Sequence, residues 1–162
     1  MNAPDLTETT IVNSGIKVSW KKIDGASGYA VYRKTASTDW KMIATTTSVS
    51  YTDKDGMKNG SVYFYTVRAY EGNVTTAKKN KYDAQCWGEY DNNGIKGRYM
   101  STPVLLNEKS LAESRTIEWK PVKGATGYAV YRKIAGGSWN MIDTTKAVTY
   151  EDTDLLMNGQ IY

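Results

Sequence analysis

An internal repeat with a spacing of 99 residues constrains the fold of this chain more than any other feature. The run GYAVYRK that begins at Gly28 recurs without a gap from Gly127, and Trp20 recurs as Trp119. About half of the aligned positions from Trp20 onward are identical in the two copies. Because a repeat of this length forms one structural unit, the sequence predicts two related domains, residues 1–102 and residues 103–162.

Short alternating runs, separated by turn residues, make up each copy, and no window has an apolar stripe of helical period. This pattern predicts an all-β fold. In the first copy we expect strands over residues 16–20, 29–34, 40–44, 49–52, 62–70 and 95–100. The longest run, Val62–Tyr70, is predicted to be the central strand.

Alternation along the strands predicts which side chains face the core. Tyr29, Val31 and Arg33 share one face of their strand. The residues predicted to lie in the core are Tyr29, Val31, Tyr63, Tyr65, Val67 and Ala69. The predicted outward residues are Ala30, Tyr32, Lys34, Phe64, Thr66, Arg68 and Tyr70.

The composition argues against several classes of function. The sequence contains no histidine, and Cys86 is its single cysteine, so neither an intrachain disulfide nor a histidine-based hydrolytic or zinc site can form. We expect Cys86 to be an inert, half-buried thiol. The 21 Lys and Arg residues are scattered among 17 acidic residues, so the net charge of +4 does not favour a nucleic-acid partner. No apolar run is long enough for a membrane span.

Carboxylates occur in three places that could suggest a site. Glu89 and Asp91 lie on a polar loop and lack the cleft that a catalytic carboxylate pair needs. The runs that begin at Asp53 and Glu151 lack the further oxygen ligands of a calcium loop, since Met57 and Leu155 follow them. We therefore expect turns there and predict no enzyme activity, no metal site and no cofactor.

Several motifs resemble the fibronectin type III repeats of secreted and surface proteins of Gram-positive bacteria. They are the strand tryptophans Trp20 and Trp119, the Gly-Tyr-x-Val-Tyr-Arg strand, the Tyr-x-Asp turn at Tyr51, and the segments 57–63 and 156–162. The resemblance implies tandem immunoglobulin-like β-sandwiches. It also implies that Tyr63 and Tyr162 form tyrosine corners, in which the hydroxyl returns to nearby backbone.

The second copy is expected to be incomplete. Residues 1–102 cover a whole fibronectin type III-like domain, whereas residues 103–162 cover strands A to E and the start of F, so the last two strands are lacking. Three explanations remain open: a fragment cut from a longer array, a partial sequence of such an array, or a protein that takes strands from a neighbour. The third predicts a homo-oligomer formed through the open edge of the second repeat.

Candidate interaction residues lie in two places. The outward side of the first domain carries Tyr32, Arg68 and Tyr70, which suit a protein or sugar partner but also stabilise an exposed sheet without any ligand. Trp87, in an extended segment with Tyr82 and Tyr90, is the better binding candidate. Trp40 and Trp139 are expected on edge strands, where each could stack on a sugar or fold over Tyr32 or Tyr131. We select Tyr32, Arg68, Tyr70 and Trp87 as the predicted protein or glycan interface.

The resemblance implies a non-catalytic spacer or adhesion module of a larger bacterial surface or secreted protein, located outside the cell or in the cell wall. Its partners would be proteins or glycans at a cell surface. One alternative is a carbohydrate-binding accessory module of a secreted polysaccharide-degrading enzyme. The other is a self-assembling phage or filament subunit that exchanges strands.

Overall fold

A computed structural model describes residues 1–12, 15–73, 86–111, 114–154 and 161. The chain divides into two compact units, Met1–Ser101 (unit 1) and Thr102–Tyr162 (unit 2). The strands of unit 1 are β1 Leu6–Val12, β2 Gly15–Trp20, β3 Gly28–Lys34, β4 Lys41–Thr46, β5 Ser50–Asp53, β6 Val62–Tyr70 and β7 Ile95–Arg98. The strands of unit 2 are β8 Leu105–Ser110, β9 Arg115–Trp119, β10 Tyr128–Arg132, β11 Asn140–Thr145 and β12 Thr149–Asp152.

Every strand pair is antiparallel, and none of the described residues forms a helix that could cross a membrane. The predicted all-β class is therefore confirmed.

Unit 1 is a sandwich of two sheets. One sheet has the order β1-β2-β5 and the other the order β4-β3-β6-β7. Their inner faces share one core, to which the two sheets contribute the buried residues Ile16, Val18, Trp20, Tyr29, Val31, Tyr63, Tyr65, Val67 and Ala69. Strand β6 has a hydrogen-bonded neighbour on each side, β3 and β7. The sandwich, the central position of β6 and the inward alternation of its residues are confirmed.

Strand boundaries differ from the predictions where cross-strand pairing decides them. Strand β4 begins at Lys41 rather than at Trp40 and runs on to Thr46, because Thr45 and Thr46 pair with β3. Strand β7 ends at Arg98, after which the Tyr99 amide still bonds to the Ser61 carbonyl. Strand β1 was not predicted as a bounded strand, since its polar sequence LTETTIV leaves most side chains exposed.

A buried ion pair joins the two sheets of unit 1. The Arg33 guanidinium, on β3, lies 2.7 Å from the Asp53 carboxylate, on β5, and donates a second bond of 2.7 Å to the Asp55 carbonyl. The Tyr65 hydroxyl donates to the same carboxylate at 2.9 Å. Burial, together with the Asp53 charge and hydrogen bond, raises the pKa of Tyr65.

Hydrogen bonds in unit 1 bear on two of the expected turns, the one at Asp53 and the tyrosine corner at Tyr63. The Asp53 carboxylate is engaged by Arg33 and Tyr65, and the described residues contain no cluster of three metal-binding side chains. The Tyr63 hydroxyl accepts from the Lys58 amide at 3.0 Å and donates to the Gly56 carbonyl at 3.4 Å. The predicted tyrosine corner is therefore confirmed in unit 1.

Unit 2 repeats part of this arrangement within its own sheets, β12-β9-β8 and β10-β11. Trp119 and Tyr128 make an edge-to-face contact of 5.3 Å, as Trp20 and Tyr29 do at 5.4 Å. Arg132 and Asp152 form the counterpart of the ion pair at 2.8 Å. Among the described residues β10 pairs with β11 alone, whereas β3 pairs with both β4 and β6. The predicted second tyrosine corner lies outside the described residues, apart from Ile161.

Candidate interaction surfaces

The outer face of the four-stranded sheet in unit 1 holds a second apolar cluster. Its buried members are Ala30, Tyr70 and Trp87, with Tyr32, Met42 and Cys86 packed against them. The rings of Tyr70 and Trp87 meet edge to face, with centroids 5.8 Å apart. Burial raises the pKa of Tyr70. We call this set the outer cluster.

Backbone hydrogen bonds hold Trp87 in place over the sheet. Trp87 makes an isolated antiparallel bridge to Tyr70. On either side of it, the Glu71 amide bonds to the Cys86 carbonyl and the Gly88 amide to the Ala69 carbonyl, each at 2.9 Å. The chain around Trp87 therefore pairs with the end of β6 and forms a short two-stranded ladder.

Arg68 borders the outer cluster and stacks against two aromatic rings. Its guanidinium lies 5.3 Å from the Trp87 ring centroid and 5.8 Å from the Tyr90 centroid. Its Nε donates a hydrogen bond of 2.6 Å to the Gly88 carbonyl. This arrangement fixes the plane of the guanidinium. The half-buried Arg68 and the exposed Tyr90 together form a basic, aromatic patch on the surface.

These positions correct the predicted accessibility of the interface. Alternation did place Tyr70 on the outer face, but Tyr70 is only 1% exposed and Trp87 only 5% exposed, because the two rings cover each other. Ala30 and Thr66, also predicted outward, are buried as well. Of the four predicted interface residues, Tyr32 and Arg68 remain half-exposed.

Other predicted residues can now be placed. Cys86 is half-buried, as predicted, and contacts the outer cluster. Trp40 and Trp139 each immediately precede a strand at the edge of a sheet and stack under a lysine, Lys34 at 4.5 Å and Lys133 at 5.0 Å. Tyr82 lies outside the described residues. Sequence reasoning gave Tyr90 no place in the interface, although its short spacing from Trp87 was visible.

Unit 2 contains an open apolar groove of about 500 Å³. Its lining comprises Thr102, Pro103, Leu105, Ile117, Trp119, Tyr128, Ala129, Val130, Tyr131 and Trp139. Leu105 is 68% exposed, Trp139 63% and Tyr131 52%, whereas their counterparts in unit 1, Leu6, Trp40 and Tyr32, are half-buried. The groove follows β10, the strand whose counterpart β3 is covered by β6.

Comparisons with known proteins add little to this picture. No family model matches the chain, and no curated protein matches it. Among solved structures, the FN1–FN3 domains of chicken CNTN1 align with 95% of this chain and are 16% identical to it, with a TM-score of 0.44. The chain spans 56% of the length of that structure. At this similarity the fold assignment depends on the strand order and core of unit 1.

Proposed function

We propose that this chain is a non-catalytic extracellular spacer or adhesion module of a larger bacterial surface or secreted protein. The observation that supports the proposal best is repetition of one packing scheme at a 99-residue spacing. The aromatic pair of Trp20 and Tyr29 and the ion pair of Arg33 and Asp53 recur in unit 2 with distances that differ by about 0.1 Å. Tandem copies of one sandwich add length to a protein without requiring a new fold for each domain.

The chemistry of unit 1 fits a mechanical role. The half-buried Arg33 and the buried Asp53 neutralise each other and link the two sheets. On the outer face, the aromatics Tyr70 and Trp87 are used in packing rather than left exposed. The ion pair resists separation of the two sheets, and the aromatic contact holds the chain around Trp87 against β6.

The experiment combines single-molecule stretching with an assay for polysaccharide hydrolysis. We expect unit 1 to unfold as one event when the full chain is stretched in a single-molecule force experiment. A domain of its size would lengthen the chain by about 30 nm, at roughly 3.4 Å per residue. The full chain should show no hydrolysis of cell-wall or plant polysaccharides. Hydrolysis that survives repurification, or stepwise unfolding of the two sheets of unit 1, would contradict the proposal.

A second candidate is supported by the stacked position of Arg68. A carbohydrate-binding accessory module could use the patch of Tyr32, Arg68 and Tyr90, since a fixed guanidinium beside an exposed ring suits a sugar with an acidic group. Trp87, which the sequence favoured as the binding residue, is buried and would act by positioning Arg68. A glycan array with the full chain and an Arg68→Ala variant tests this candidate. Signal that disappears in the variant supports it, and absence of any signal removes it.

A further inference from the structure

Two Asn-Gly pairs lie in the described part of unit 1, and the structure holds them differently. Asn59-Gly60 belongs to the turn before β6, and Asn93-Gly94 immediately precedes β7. An asparagine that precedes glycine is prone to lose its side-chain amide without an enzyme, because glycine has no side chain to hinder attack by its own nitrogen. Since the two pairs have the same sequence, local structure decides which of them reacts.

The side chain of Asn59 is held at both of its polar atoms. Its Nδ2 donates to the Ser101 hydroxyl at 2.8 Å, and its Oδ1 accepts from the Ser101 amide at 2.6 Å. The Gly60 amide, which would have to attack, donates to the Tyr99 carbonyl at 2.9 Å. Rotation of the Asn59 side chain onto the Gly60 nitrogen breaks these bonds, so we expect this pair to be protected.

Asn93 has none of these restraints. Its side chain is exposed and has no hydrogen-bond partner among the described residues, while its backbone amide donates to Asp91 Oδ1 at 2.8 Å. The Gly94 amide also lacks an acceptor in the described part of the chain. The Cα of Gly94 is closely packed, since an added Cβ would lie 2.7 Å from the Trp40 ring. The nucleophilic nitrogen is therefore unoccupied on a glycine that the fold holds in place beside a side chain free to rotate.

We propose that Asn93 is a site of spontaneous deamidation and that Asn59 is protected from the same reaction by its hydrogen bonds. The Gly94 nitrogen loses its proton to water and forms a bond to Cγ of Asn93. The bond from Cγ to Nδ2 breaks, and the amide nitrogen leaves as ammonia after taking up a proton. Water then opens the cyclic imide at either of its carbonyl carbons and yields aspartate or isoaspartate. A spacer function does not require this reaction, so the inference goes beyond the proposed function.

The reaction would change the surface close to the patch of Arg68 and Tyr90. Asn93 follows Tyr90 by three residues, and the carbonyl of Asp91 accepts a hydrogen bond of 2.7 Å from the Thr66 hydroxyl on β6. Either product adds one negative charge to this loop beside Asp91. The isoaspartate product also lengthens the main chain by one carbon between the loop and β7.

The test is incubation of the full chain at neutral pH and physiological temperature, followed by tryptic digestion and mass spectrometry. Cleavage after lysine and arginine separates the two pairs, with Asn93 in residues 82–96 and Asn59 in residues 59–68. We expect the first peptide to gain one dalton at Asn93 and to split into two products. The second should react more slowly by about tenfold or more, equivalent to about 1.4 kcal/mol in the barrier. Equal rates at the two sites, or no change at Asn93, would overturn the proposal.

Unfolding the chain in guanidinium chloride separates the effect of structure from that of sequence. There Asn59 should react about as fast as Asn93, because its bonds to Ser101 are lost. Asn93 should react at a similar rate in the folded and the unfolded chain. If folding slows Asn93 as much as Asn59, the fold protects both pairs and the proposal is wrong.

Two neighbouring variants assign the reacting residue. Asn92 and Asn93 are both exposed, so neither Asn92→Gln nor Asn93→Gln should unfold unit 1. Glutamine would have to close a larger ring and reacts more slowly, so Asn93→Gln should abolish the mass gain in residues 82–96. Asn92→Gln should leave it unchanged. A gain that persists in Asn93→Gln, or disappears in Asn92→Gln, would place the reaction at another residue and overturn the proposal.

Discussion

The two units contain nearly the same strand sequences but bury them to different extents. Val31 and Val130 are both buried, and each unit has the aromatic pair and the ion pair. Trp40 and Trp139 differ, since the first is half-buried and the second is largely exposed. The comparison teaches that the local sequence sets the strand and its inward residues. The exposure of residues near the strand edge depends instead on which other strands pack beside it, as β6 packs beside β3 in unit 1.

Replacement of the strand tryptophan should have the largest effect and should differ between the units. Trp20→Ala is expected to lower the free energy of unfolding of unit 1 by about 3–5 kcal/mol, because it leaves a cavity between two filled sheets. Trp119→Ala should cost less, roughly 2–3 kcal/mol, because the exposed Leu105 can move into the space. Urea unfolding monitored by amide hydrogen exchange in each unit measures both values. Equal losses would mean that the open groove does not soften the packing around Trp119.

The ion pairs offer a second test of the comparison. Asp53→Ala leaves Arg33 without its carboxylate and deprives the Tyr65 hydroxyl of its acceptor, so we expect a loss of roughly 2–3 kcal/mol in unit 1. Asp152→Ala should lower the stability of unit 2 by about 1 kcal/mol, since the described contacts of Asp152 include Arg132 but no tyrosine hydroxyl. The same unfolding experiment measures both variants. Arg33→Leu combined with Asp53→Leu serves as a control, because removal of both charges should restore part of the lost stability.

Local rules explain which parts of the fold could be predicted. Alternation along β6 placed Tyr65 and Val67 in the core, and the same rule placed Arg33 on the face that Tyr29 and Val31 share, where its guanidinium meets Asp53. These predictions depend only on residues within one strand. The repeat extended them to unit 2 without further information.

The candidate site could be predicted only in part, because it depends on contacts between distant segments. Alternation gave the outer position of Tyr70 but not its burial, since nothing local indicates that Trp87 returns to bridge it. Trp87 looked like an exposed loop residue because polar residues surround it in the sequence. An outward tyrosine at the end of a central strand and a tryptophan in the following polar segment form a pattern that could have indicated the outer cluster.

Matched glycines test how closely the outer cluster packs on β3. A Cβ added to Gly28 would meet the Tyr70 hydroxyl group and lie 3.0 Å from the Thr46 carbonyl oxygen. At Gly127 the nearest atom is the Thr145 carbonyl oxygen, at 3.2 Å. We therefore expect Gly28→Ala to destabilise unit 1 by about 1–2 kcal/mol and Gly127→Ala to change unit 2 by less than about 0.5 kcal/mol. Thermal unfolding of the two variants provides the measurement, and a neutral Gly28→Ala would show that Tyr70 can shift without loss.

The smallest expected effect is a pH dependence that Tyr65 confers on unit 1. Burial and Asp53 raise the pKa of Tyr65, so the folded state keeps this proton at a pH where an unfolded tyrosine, with a pKa of about 10, loses it. The stabilisation is therefore complete below about pH 10 and is lost as the pH rises further, by at most about 1.4 kcal/mol per pH unit.

Tyr65→Phe isolates this contribution. The variant should be less stable by about 1 kcal/mol at neutral pH, because Asp53 loses a hydrogen bond. It should also show a shallower decline in unfolding free energy between about pH 10 and 11 than the unaltered chain. Urea unfolding at a series of pH values measures both. An identical decline in the two proteins would assign the alkaline sensitivity to other tyrosines whose pKa values burial raises, Tyr51 and Tyr70. In that case the hydrogen bond between Tyr65 and Asp53 would not make the stability of unit 1 respond to alkaline pH differently from that of unit 2.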